Sequence, residues 1–267
     1  MVAPARRSEA LLRCDRMVPL AGLVAVVALT WGWVLAGAGM KMSAVQMTGM
    51  AGMDGWLMQP AVWTPAYAAL IFSMWWVMML AMMLPGAAPM LLLFDRVNRT
   101  NKAAGAPLGM TALFAIGYLL AWGVFSAVAT ALQWGLESAR LLSPMLVTTS
   151  DWLGAGILLT AGLWQLTPLK TVCLRQCRSP LGFLIGNWRA GRVGALRMGL
   201  EHGAFCLGCC WVLMALLFFG GVMNLYWIAG IAILVLLEKC IPHGDRLGRI
   251  AGIALIAGGI VLAMQAY

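Results

Sequence analysis

Long apolar runs alternate along the chain with short polar segments, and the runs predict seven helices. They cover about 17–39, 66–94, 108–135, 152–167, 197–220, 224–237 and 247–266, several of them near the 20 residues that span a bilayer core. Six helices result if 197–220 merges with 224–237 or if the first is lost. Ala36, Gly37 and Ala38 suit a signal-cleavage site, but the apolar run before them exceeds the usual signal length, so the first helix is expected to be retained. Pro85 and Pro89 predict a kink or break near the end of the second helix, since each removes a backbone donor. The expected fold is all-α, a polytopic transmembrane bundle. Residues 1–16 form a polar N-terminal segment and 17–267 the single bundle, with a loop at 40–65 and a basic loop at 169–200.

Composition agrees with this pattern. Of 267 residues 63% are hydrophobic and 10% charged, too little charge to cover a soluble domain of that length. A net charge of +9 raises the question of nucleic acid, but the basic residues fall between apolar runs and no long basic tract, P-loop or dinucleotide fingerprint occurs. Nucleic-acid binding is not expected. The charges instead set orientation. With the N-terminus inside, the cytoplasmic segments hold sixteen of the 18 basic residues, leaving Lys41 and Arg140 outside.

The chemistry concentrates in 201–214. On a helix His202, Cys206, Cys210 and Met214 are each four residues apart, so each step climbs roughly 6 Å and drifts only about 40°. They form one winding stripe, with Cys209 beside Cys210. Thiolate and thioether donors suit soft metals, and i, i+4 spacing lets neighbours close on one ion. Other soft donors accompany them. Cys173 and Cys177 stand one turn apart among Lys170, Arg175 and Arg178. Met74, Met78 and Met82 make one line on the second helix, with Met79 and Met83 at its edge. Met47, Met50 and Met53 are spaced three apart in the loop at 40–65, which also holds Met40, Met42 and Met58. Glu238 is an ionisable group at a membrane helix end, able to face the stripe or to pair with Lys239 or an arginine. Each feature has a plain alternative: methionine and buried cysteine pack well in apolar interiors, and His202 satisfies itself on a carbonyl or Glu201.

Taken together these residues predict a metal site of His202, Cys206, Cys209, Cys210 and Met214, with Cys173, Cys177, Met78, Met82 and Glu238 as further candidates. The 20 methionines favour Cu(I). Zinc, which rarely takes thioether, fits only a closed site of His202, Cys206, Cys209 and Cys210. Seven cysteines, an odd number, mostly on the cytoplasmic side, argue for reduced thiols rather than a disulfide framework.

The chain resembles a bacterial family of predicted metal-binding integral membrane proteins. The matching features are Met78-Met79-Leu-Ala-Met82-Met83-Leu-Pro85, Cys173-Leu-Arg-Gln-Cys177, His202 with the run from Cys206 to Met214, Met223-Asn224-Leu225 and Glu238-Lys239. The resemblance covers most of 66–262 and implies metal binding in a multi-pass protein of the bacterial inner (cytoplasmic) membrane. The expected role is copper handling: transport, or delivery to a copper enzyme, with a soluble metallochaperone or that enzyme as partner. Two other classes stay open. One is a membrane thiol oxidoreductase using Cys206 and Cys209, disfavoured by the cytoplasmic placement of its thiols. The other is a non-catalytic subunit of a membrane complex, for which His202 and His243 are too few to hold bundle-spanning haems. No catalytic serine, carboxylate pair or nucleotide loop stands out, and no enzymatic activity is expected.

Overall fold

A computed structural model describes residues 4–40, 42–49, 62–100 and 107–267. Among these residues the chain is an all-α polytopic bundle of ten helices: α1 Pro4–Leu35, α2 Ala44–Gly49, α3 Pro65–Thr100, α4 Pro107–Ser138, α5 Asp151–Leu166, α6 Pro168–Arg178, α7 Pro180–Asn187, α8 Gly191–Gly220, α9 Leu225–Cys240 and α10 Gly244–Gln265. The helices α1, α3, α4, α8 and α10 are long and apolar enough to cross a membrane, and the bent pair α5–α6 makes a sixth if it is one span.

All seven apolar runs are helical, and α2, α6 and α7 are additional. The basic stretch 169–200, expected as a loop, is helical over most of its length. The segment 1–16 is not separate from the first helix, because α1 begins at Pro4. Nor does the second helix end at Phe94: α3 runs to Thr100 through both Pro85 and Pro89. Of the methionines expected in the outer loop, Met40 and Met47 pack against the core, whereas Met50, Met53 and Met58 lie outside the described residues.

Two close helix pairings organise the bundle. On α4 and α8, a Cβ at Gly117 would overlap the Leu196 carbonyl, and one at Gly199 would overlap the Phe114 carbonyl. Small residues there let the two backbones touch, which substitutes for the weak hydrophobic drive between helices in lipid. Gly162 and Gly252 do the same for α5 against α10.

Between α5 and α6 the chain turns by 64°. Thr167 precedes a proline and is extended, with ψ 147°, as that position demands. Its hydroxyl accepts from the Lys170 amide at 3.3 Å and caps α6. The turn presents Lys170, Leu174 and Cys177 as the buried face of α6, and α6 packs on α8. That bend brings a thiol from outside α8 into the interior.

At one end of the bundle a polar chain ties α3 to α4. Trp75 Nε1 donates to Gln133 Oε1 at 2.8 Å, Gln133 Nε2 donates to Glu137 Oε1 at 2.8 Å, and Trp63 Nε1 donates to Glu137 Oε2 at 2.7 Å.

Candidate metal centre

The stripe on α8 points inward. His202, Cys206, Cys209, Cys210 and Met214 are all buried, none more than 3% exposed. Cys206 is the hub. Its Sγ lies 3.1 Å from the Tyr118 hydroxyl of α4 and 3.1 Å from the Lys239 Nζ of α9. From α6, Cys177 lies on the buried face that packs on α8. Cys210 reaches the Met83 thioether of α3 at 3.7 Å. Five helices therefore converge on one knot of sulfur.

Cys209 and Cys210 donate to the Cys206 carbonyl at 3.0 and 3.1 Å. Such back-bonding within a helix is the resting choice of a thiol with no stronger partner. Among the described residues, no group of three or more His, Cys, Asp or Glu side chains is placed to hold a metal ion. All six described cysteines are free thiols.

His202 does not bond to Glu201, which pairs instead with Arg189 at 2.9 Å and Arg197 at 3.3 Å. The imidazole sits among Phe114, Tyr118 and Phe183, with ring centroids 5.3–6.1 Å away. Its Nδ1 is buried without a hydrogen-bond partner. An orphaned buried nitrogen costs about 1–3 kcal/mol, and this one lies a single turn from Cys206.

The remaining candidates are dispersed. Cys173 is half-buried against Gly208, at the margin of the cluster. Met78 and Met82 are buried in the core of α3, but the thioether that touches a thiol is that of Met83. Glu238 is engaged by other partners. Lys170 Nζ donates to both of its oxygens at 2.7 Å, and Gln165 Nε2 donates at 2.9 Å. Glu238 therefore pairs with Lys170 rather than with Lys239 or an arginine, and its oxygens are engaged.

Tyr118, Lys239 and Met83 were not singled out as site residues in the sequence. Lys239 carried a signal, because an ammonium within a membrane bundle is a functional candidate by default. Tyr118 carried none.

A buried cluster of thiols, with thioether and imidazole at its edge, inside a bundle whose helices are long enough to cross a membrane offers the donor types that soft metals accept. A sequence model of the PpoB2 copper chaperone family matches residues 72–262. That stretch is well over half of the chain and contains the whole cluster, and the chain belongs to this family of copper chaperones. No curated protein and no solved structure matches the chain.

Proposed function

We propose that this protein holds Cu(I) as cargo inside the membrane, on the thiols of Cys206, Cys209, Cys210 and Cys177, and passes it to a copper-requiring partner. The observation that carries the reading is the burial of Cys206, Cys209 and Cys210 on α8 beside the Met83 thioether, with Cys177 on the buried face of α6 that packs on α8. The softness of these thiols suits Cu(I), which accepts two or three sulfur donors and does not demand a rigid polyhedron. Met83 and the unpartnered His202 Nδ1 supply further donors at the rim of the cluster.

Membership of a copper chaperone family supports copper over zinc. The inner bacterial membrane is the compartment this reading assigns, with the thiols toward the reducing side. The back-bonds of Cys209 and Cys210 support a labile hold on cargo. Cys209 and Cys210 exchange between the Cys206 carbonyl and the ion, so cargo leaves without unfolding a helix.

The test is Cu(I) titration of the detergent-purified protein under reducing conditions against a chromogenic Cu(I) chelator. The wild-type protein retains the metal, and the Cys206→Ser/Cys210→Ser double variant loses it. A wild-type protein that surrenders all copper to the chelator overturns the reading.

A further inference from the structure

Lys239 is buried, and its Nζ is 3.1 Å from Cys206 Sγ. Its stem runs along α3 at Gly86: a Cβ there would lie 3.1 Å from Lys239 Cδ and 3.4 Å from Nζ. The adjacent carboxylate, Glu238, is taken by Lys170 and Gln165. The Lys239 ammonium meets the Cys206 sulfur, and among the described residues no salt bridge joins it to a carboxylate. A buried charge must be balanced by its neighbours, and here the neighbour is the Cys206 sulfur itself.

We infer that Lys239 is the specificity-determining residue of the thiol cluster, admitting a monovalent soft ion and disfavouring divalent ones. The inference rests on the copper reading above and adds to it the charge of the ion selected. Two thiolates and Cu(I) carry a net charge of −1, which the ammonium brings to zero. Two thiolates and Zn(II) are already neutral, and the same ammonium leaves an uncompensated positive charge in a medium of low dielectric. For equal numbers of bound thiolates the direction is the same, because a fixed positive charge repels a divalent ion twice as strongly as a monovalent one at the same distance. Thiols alone do not discriminate in this way, since zinc and Cu(I) both accept them.

The experiment measures Cu(I) and Zn(II) affinities of the detergent-purified full chain by chelator competition, for the wild type and for Lys239→Met, Lys239→Arg, Gly86→Ala and Tyr118→Phe. Lys239→Met is expected to shift the Cu(I):Zn(II) preference toward zinc by about tenfold or more, and Lys239→Arg to keep it. Gly86→Ala, which crowds the lysine stem without removing the charge, shifts the preference the same way by less and serves if Lys239→Met does not fold. Tyr118→Phe removes a neutral contact to the same sulfur and changes both affinities alike. An unchanged preference in Lys239→Met and Gly86→Ala, with copper still bound by the wild type, overturns the inference and leaves the copper reading standing. A wild type that binds no Cu(I) overturns both.

Discussion

Lys170 Nζ donates to both carboxylate oxygens of Glu238, each at 2.7 Å, and the two side chains are only 3% and 1% exposed. The pair joins α6 to α9. Gly248 of α10 closes over it, since a Cβ there would meet both Glu238 Oε1 and Lys170 Nζ. Removing one partner leaves an uncompensated charge where no water reaches it. Lys170→Met and Glu238→Gln are each expected to cost about 3–5 kcal/mol. The double variant should cost clearly less than the sum, as read by thermal unfolding in detergent. Additive losses would show that the two charges are not paired.

The bend at Thr167–Pro168 delivers Cys177 to the cluster, and this gives a second expectation. Cys177→Ser should weaken Cu(I) binding by at least tenfold, whereas Cys173→Ser, on the half-buried side of the same helix, should change it little. Chelator competition on the two single variants separates them. Equal effects would mean that α6 contributes by position rather than through one thiol.

Helix α4 carries its own internal control. Gly117→Ala pushes a methyl into the Leu196 carbonyl of α8 and should destabilise the bundle by about 1–3 kcal/mol. Gly135→Ala meets nothing within 4 Å and should be neutral or stabilising by up to about 1 kcal/mol, through helix propensity alone. Paired melting curves in one detergent test both. The Gly117 variant should also loosen the Tyr118–Cys206 contact, one residue further along α4, and lower metal retention.

Orientation is testable through the exposed Cys240. The basic-residue bias predicts the cytoplasmic side for it if α9 crosses the membrane. A membrane-impermeant maleimide should therefore label Cys240 in inverted vesicles and not in intact cells, while Cys206, Cys209 and Cys210 stay protected in both. Labelling of Cys240 from outside the cell would reverse the topology.

The spans were legible in the sequence because hydropathy over some twenty residues needs no knowledge of neighbours. The identity of the inner face was harder to read. Helix α8 is apolar nearly all round, so no amphipathic stripe marks its buried side; the soft donors themselves did, and they do point inward. On α3 the same reasoning selected the line Met74, Met78, Met82, but the thioether beside the thiols is Met83, on its edge. A rotation of about 100° separates neighbouring residues on a helix, and only the packing of α3 against α4 and α9 decides between them. Helix α6 was hidden by its charge and α7 by its length of only 8 residues. Pro168 and Pro180 at their first positions were the available signals, since proline there fits a helix start. Glu238 and Lys239 were visible as ionisable groups, but their partners, 68 residues upstream at Lys170 and 33 upstream at Cys206, are purely tertiary facts.

The most direct measurement is X-ray absorption at the copper edge on Cu(I)-loaded protein, wild type and Cys177→Ser/Cys206→Ser. The proposed arrangement predicts a first shell dominated by sulfur in the wild type and loss of bound copper in the variant. Copper held by oxygen or nitrogen donors alone, or retained equally after both thiols are removed, would contradict it.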